Sequence, residues 1–246
     1  MATTQRDRRS SATSDERSDG QNLASAAQLS PAVLSDRPAI TVDVVILTVR
    51  GRELEVCLVK RTHEPYENMW ALPGTFVHQN ERLEDVARRE LEKHAATGEV
   101  YLEQLYTFGE LDRDPRMRVI TVVYYALLRA EQIDMTAHTG SQPSAMFPVY
   151  RLPPLAFDHA NILEYTIQRL RGKLEYTTIG FQLLASEFTL SELQVVYEAI
   201  LNRPLDKRNF RKKLLATQVV KPTHRKKMVG QHRPAQLYRF NPDANR

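Results

Sequence analysis

Apolar positions are few and scattered over residues 1–38, a stretch rich in Ser, Asp, Arg, Ala and Gln, and become regular from Ala39 onward. A stretch of that kind cannot bury enough surface to offset the entropy of ordering it, so residues 1–38 are expected to be a disordered tail. "AITVDVVILTV" (39–49) and "ELEVCLVKR" (53–61) are rich in β-branched residues and flank Arg50–Gly51–Arg52, which predicts a β-hairpin. An amphipathic helix is predicted over about Leu83–Ala96. Two strand-like runs follow, "YLEQLYTFGE" (101–110) and "VITVVYYALL" (119–128), joined by "LDRDPRMR". Apolar residues then recur with a helical period over Asp158–Arg171. Strands enclosing a helix give a mixed α/β domain, placed at 39–155, and no internal repeat is found.

The pattern changes from Tyr176. "FTLSELQVVYEAI" (188–200) carries Thr189 with Glu192 three residues on, the signature of a capping box at a helix start. After "LNRPLD", the run "DKRNFRKKLLAT" predicts a second short helix capped by Asp206. "VVKPTHRKKMVGQHRPAQLYRF" predicts two short strands around a basic, glycine-containing loop. Helix, turn, basic helix and basic hairpin is the order of a winged helix-turn-helix. With a linker helix in front, that region is placed at 156–246.

Composition changes this picture at one place. The 246 residues are 42% hydrophobic and 26% charged, ordinary values for a soluble protein. Net charge is only +4, yet Arg203–Arg233 holds 11 Lys/Arg against one acid, Asp206, leaving 23 bases and 29 acids elsewhere. A mildly acidic body with one basic segment points that segment at a polyanion, or else at solvent. Cys57 is the single cysteine, which excludes an internal disulfide and fits the cytoplasm. No apolar run is long enough to cross a membrane and no secretory leader is recognisable, so no membrane association is expected.

"LPGTFVHQNERLEDVARRELEKHAATG" resembles the Nudix box, G-x5-E-x7-R-E-U-x-E-E-x-G-U with U aliphatic. Glu81, Arg89, Glu90 and Leu91 fall at the expected spacings. Thr75 stands where the family has glycine, Lys93 and His94 replace the metal-binding acids, and Gly98 arrives two residues late. In Nudix hydrolases those glutamates hold Mg²⁺ or Mn²⁺ and activate water for diphosphate cleavage. Exchanging two acids for Lys⁺ and a neutral His changes the local charge by about +3. A unit charge at 4 Å contributes roughly 4 kcal/mol at an effective dielectric of 20, so a divalent ion beside Lys93 is repelled. The reading is a degenerate box with no catalytic residue, no metal and no cofactor.

The resemblance extends through "VCLVKRTHEPYENMWALPG" and "QLYTFGELDRDPRMRVITVVYYAL", which look like Nudix domains specific for ADP-ribose. It implies a ligand set of Arg61, Trp70, Tyr106, Phe108, Arg113, Arg116 and Arg118. Arginine forks suit a diphosphate, and the aromatics suit stacking on or beside an adenine. Taken one at a time, the aromatics are better read as core residues and the arginines as surface charges; taken together, the segment reads as a ligand site.

The C-terminal run is similar to that of the Nudix-related transcriptional regulators of NAD metabolism, which join a degenerate Nudix domain to a winged helix. The implied fold is a Nudix-like α/β/α sandwich with a mixed sheet, followed by the winged helix-turn-helix. In such a fold the second helix enters the major groove of double-stranded DNA, placing Lys207, Arg208, Asn209, Arg211 and Lys212 there. Phe210, Leu214 and Leu215 would then form its buried face, and Arg225, Lys226, Lys227 and Arg233 would lie in the wing. A protein-binding winged helix is the alternative, and the run of bases favours DNA. The function implied is a homodimeric repressor of NAD biosynthesis or salvage genes that senses ADP-ribose, a related nucleotide or another phosphorylated sugar. The rival is a Nudix hydrolase with an appended nucleic-acid domain. No P-loop, no G-x-G-x-x-G and no zinc-binding histidine pattern is present in the sequence.

Overall fold

The structure, a computed structural model, describes residues 37–95, 100–133, 143–228 and 234–245. Residues 1–36 of the expected tail, Gly98 of the box and Arg233 of the wing lie outside the described residues.

The first two strands, β1 (Ala39–Arg50) and β2 (Glu53–Lys60), form the expected antiparallel hairpin. Gly51 makes its turn at φ +61°, where a side chain would be strained. Residues 42–48 of β1 are buried, because alternate side chains enter cores on opposite faces of the sheet. Val44 and Ile46 pack toward Val86, Ala87 and Leu91 of α1 (Leu83–Glu92). Val45 and Leu47 pack toward Ile162, Leu163, Ile167 and Leu170 of α2 (His159–Tyr176). That arrangement is the three-layer α/β/α sandwich.

The sheet is completed by β3 (Trp70–Ala71), β4 (Gly74–Phe76), β5 (Tyr101–Phe108), β6 (Val119–Leu127) and β7 (Ser144–Pro148). Its path is β3-β2-β1-β6-β5, with β4 also pairing β1 and β7 also pairing β2. The β1–β6 pairing is parallel and the others antiparallel, so the sheet is mixed as expected.

Helix α1 is shorter than the periodicity predicts. It ends at Glu92, and the backbone N–H of Lys93 turns back to the carbonyls of Glu90 and Leu91. Beyond it, Ala95 forms a bridge with Ile133, which draws the chain out of the helical path. Lys93 and His94 therefore lie in the turn after the helix and not on a continuing helical face.

The C-terminal region contains β8 (Phe188–Thr189), α3 (Leu190–Leu201), α4 (Lys207–Ala216), β9 (Val220–Lys227) and β10 (Ala235–Phe240). The small sheet runs β8-β10-β9 and is antiparallel. The capping box is formed: Thr189 Oγ1 accepts from Glu192 N at 3.2 Å, and Thr189 N donates to Glu192 Oε2 at 2.7 Å. Asp206 Oδ1 caps α4 by accepting from Asn209 N at 2.7 Å. Leu214 is buried, whereas Leu215, expected on the same face, is 46% exposed; consecutive residues on a helix are about 100° apart.

Two cores hold this region. Phe188, Leu190, Leu193, Leu214 and Val220 form its own small cluster. Val196, Ala199 and Ile200 of α3 instead join the main core with Leu54, Leu58 and Leu170. The sequence boundary at 155/156 is therefore not a break in packing. Polar contacts reinforce the join: Tyr150 Oη and Arg171 Nε both donate to the Ile200 carbonyl, at 2.6 and 3.1 Å, and Arg52 pairs with Glu198 at 2.7 Å.

Candidate functional site

Asp43 interrupts an otherwise apolar strand and is 7% exposed, so it needs partners. It has them at the base of a cleft of about 190 Å³ lined by residues of β1, β2 and β4, the 113–116 loop and the start of α2. Thr121 Oγ1 donates to Asp43 Oδ2 at 2.7 Å, and an Arg113 terminal nitrogen lies 3.7 Å from the same oxygen. Gly74 is needed here because a Cβ on it would stand 2.0 Å from Asp43 Oδ1.

Arg113 is the centre of the network. Its side chain is 4% exposed, and Nε and Nη2 donate to Asp158 Oδ2 and Oδ1 at 3.0 and 2.7 Å. The fork geometry is the one arginine offers to carboxylates and phosphates. His159, the next residue, is buried and accepts from Leu72 N on Nδ1 at 2.8 Å. Its proton therefore sits on Nε2, 4.0 Å from Asp43 Oδ2. Burial lowers the His159 pKa, against the opposing pull of Asp43 and Asp158, and keeps the ring neutral.

Two further arginines line the mouth. Arg116 is half exposed and donates from Nε and Nη2 to Asp114, at 3.0 and 2.8 Å. Burial opposes ionisation of Asp114, and the hydrogen bonds from Arg116 outweigh it, so its carboxyl titrates below the ordinary range. Arg61 donates from Nε to the Pro65 carbonyl at 2.7 Å and lies 4.7 Å over the Phe157 ring. Burial, then repulsion by Arg116, lowers its pKa. The cleft thus collects three guanidinium groups whose present partners are the chain's own oxygens.

Of the ligand set expected from the sequence, Arg61, Arg113 and Arg116 line this cleft. Arg118 does not: it is held outside by the Glu110 carbonyl at 2.7 Å. Trp70 packs edge-on to Phe147 at 4.7 Å beside the main core. Tyr106 and Phe108 form a separate aromatic cluster with Tyr165 of α2, with ring centroids 5.2–5.7 Å apart. Sequence reasoning missed Asp43, Gly74, Asp114, Phe157, Asp158 and His159. The available signal was Asp43, a lone acid inside "ITVDVVIL".

The remnants of the Nudix box pair among themselves. Glu81 accepts from the Arg89 side chain and from His78 N, and these bonds hold its carboxyl down at about 2. Glu90 is 5% exposed, and Lys93 Nζ sits 2.5 Å from its carboxylate. His94 is buried, and Thr75 alone of this set lines the cleft. Among the described residues, no three His, Cys, Asp or Glu side chains come together to hold a metal ion. Burial pushes the Cys57 thiol up to about 12, so it is no nucleophile.

On α4, Lys207, Arg208, Asn209 and Lys212 are exposed, and the side chains of Lys207, Arg208 and Lys212 make no ion pair among the described residues. Arg211 is different: it is half-buried and donates to Ser191 Oγ at 3.0 Å, so it braces α4 against α3. In the wing, Arg225 pairs with Glu187 at 3.0 Å and Lys227 with Glu192 at 2.7 Å, while Lys226 is free of such partners among the described residues.

A Nudix sandwich with a degenerate box, fused to a basic winged helix, defines a class: Nudix-related DNA-binding transcriptional regulators. The chain matches a Nudix domain over residues 37–166 and an NrtR DNA-binding winged helix domain over 180–240. It is 38% identical over 209 residues, 82% of either chain, to the ADPR responsive transcriptional repressor NtrR of Acinetobacter baylyi. The crystal structure of Shewanella oneidensis NrtR complexed with a 27mer DNA is 34% identical, with a TM-score of 0.73 over 83% of this chain and 94% of that one. The Nudix domain of the same protein, complexed with ADP ribose, is 32% identical, with a TM-score of 0.53 over 61% of this chain and 99% of that one. The chain belongs to the NrtR family of Nudix-related transcriptional regulators.

Proposed function

We propose that this chain is a transcriptional repressor that binds operator DNA as a homodimer in the cytoplasm and is released by ADP-ribose or a related nucleotide. Its targets are genes of NAD biosynthesis or salvage, and its Nudix domain binds the nucleotide without hydrolysing it. The observation that carries this reading is the position of α2. Its first turn contributes His159 to the arginine cleft, and its far end packs with α3 of the winged helix. The ligands named for the Acinetobacter and Shewanella relatives support the same reading.

The diphosphate is assigned to Arg113 and Arg116, with Arg61 at the mouth. About 190 Å³ is less than the roughly 300–1,000 Å³ usual for small-molecule sites, so the cleft takes the charged middle of the ligand and leaves its ends outside. A diphosphate competes with Asp158 for Arg113, and Asp158 immediately precedes α2. Any rotation of α2 carries α3 with it, and two recognition helices misplaced by a few ångströms cannot both seat in successive grooves.

Titration of ADP-ribose with and without a duplex from the promoter next to this gene tests the proposal. Coupling of roughly 5- to 150-fold in affinity is expected, and operator affinity must shift by the same factor. Equal ADP-ribose affinities in the two titrations would overturn it, and release of AMP in the presence of Mg²⁺ would favour the hydrolase.

A further inference from the structure

A cavity larger than the arginine cleft lies within the C-terminal region. It measures about 550 Å³ and is bounded by the end of α2, the turn at Ile179–Leu183, α3 and α4. Phe181, Tyr197 and Phe210 provide aromatic walls, the last two with ring centroids 5.2 Å apart at 65°. Leu174, Leu201 and Leu214 complete the apolar lining. This volume falls in the ordinary range of small-molecule sites.

The hydroxyls of Thr177 and Thr217 are spent on backbone carbonyls, but the two cations of the lining are not paired among the described residues. Arg203 and Lys213 are exposed at the rim, and neither side chain makes a hydrogen bond or ion pair among the described residues. One carboxylate, Glu175, lines the cavity against these two cations. The Tyr197 hydroxyl also makes no hydrogen bond among the described residues, although burial raises its pKa and keeps it a neutral donor. That hydroxyl is not fully buried and is open to water or to a ligand. An apolar chamber with a free hydroxyl and a surplus of cations at its edge is complementary to a flat apolar anion.

We infer that this cavity is a second small-molecule site, distinct from the Nudix cleft, that takes an aromatic monocarboxylate with its ring among Phe181, Tyr197 and Phe210 and its carboxylate toward Arg203 and Lys213. A duplex cannot enter a chamber of this size, although Lys213 shares a helical face with Asn209 four residues before it. Because α4 forms one wall, an occupant braces the recognition helix against α2 and α3. The site thereby gives the DNA reader an input of its own.

The probe is 1-naphthoate, titrated calorimetrically into the full chain with and without saturating ADP-ribose. One site per chain is expected, retained when ADP-ribose is saturating. Exchanging both cations, Arg203→Gln with Lys213→Gln, should weaken binding at least tenfold, and 1-naphthamide should bind at least tenfold more weakly than the acid. Thr217→Trp, which adds bulk at the exposed rim, should abolish binding while circular dichroism remains that of the parent. Three results would each overturn the inference: no saturable heat up to millimolar probe, an unchanged affinity in the double-glutamine variant, or displacement by ADP-ribose. The last would place the probe in the Nudix cleft.

Discussion

Arg113 and Asp158 face each other through two parallel hydrogen bonds of 3.0 and 2.7 Å, and this pair ties the cleft to the start of α2. Asp158 occupies the N-cap position of α2, yet its side chain caps nothing, because Arg113 holds both oxygens. Cap and ion pair compete for one carboxylate. Removing one partner of a buried pair strands the other charge, so Asp158→Ala should cost about 3–5 kcal/mol. Urea denaturation measures this, and the double variant Arg113→Met with Asp158→Leu should recover only part of the loss, because Asp43 then loses its contact with Arg113. A single-variant loss under about 1 kcal/mol would show the pair to be solvated and unimportant.

On the proposed reading, Arg208 and Lys226 distinguish base reading from phosphate neutralisation. Arg208→Ala should cost on the order of 1–3 kcal/mol on the preferred operator and relax preference at one position. Lys226→Ala should weaken all duplexes alike and flatten the slope of log K against log salt by about 0.9. Arg211, tied to Ser191, should instead betray itself in thermal stability when changed to Ala. Operator affinity unchanged in a triple Lys207, Arg208, Lys212 alanine variant would remove α4 from the DNA interface.

His159 predicts an acid-sensitive core. Its pKa is depressed from 6.5 by burial, so between 6.5 and the folded value the unfolded chain binds more protons than the folded one. Its contribution to stability is complete above about pH 6.5 and declines as pH falls below it. Melting curves from pH 7.5 to 5.0 should show this decline in the parent and a shallower one in His159→Gln, whose amide oxygen can still accept from Leu72 N. Parallel declines in the two proteins would assign the acid sensitivity to other groups.

Lys93 occupies the position beside Glu90 that a divalent ion would need. The parent should therefore show no Mn²⁺ binding at submillimolar concentrations by electron paramagnetic resonance and no AMP release from ADP-ribose above a buffer blank. The Lys93→Glu, His94→Glu variant should gain Mn²⁺ affinity, while turnover need not follow because Thr75 also departs from the box. Turnover in the parent that is abolished by Glu90→Gln would mean the centre is active.

Local rules made much of the architecture legible. The hairpin around Gly51, the box between Thr189 and Glu192 and the cap at Asp206 are each written within a few residues, and each is formed. The degenerate box and the basic run were enough to recognise the family. Strands β3, β4, β7 and β8 span only two to five residues, too short for a period to declare itself. Periodicity overruns the end of α1, where Ala95 bridges to a distant residue, Ile133. The cleft was half visible for the same reason. Arginines announce an anion, but Asp43 and Asp158 are 115 positions apart, and only the fold sets both beside Arg113.

The burial of Val196, Ala199 and Ile200 against the sandwich bears on how such a protein can change over generations. A reading head cut out at residue 180 would leave with an oily flank and an open wound behind it, so neither piece is a free-standing part. Shuffling whole heads between lineages is then a poor route to new promoters. Drift is expected instead in the outward side chains of α4, where a new sequence can be learned one letter at a time without disturbing the joinery.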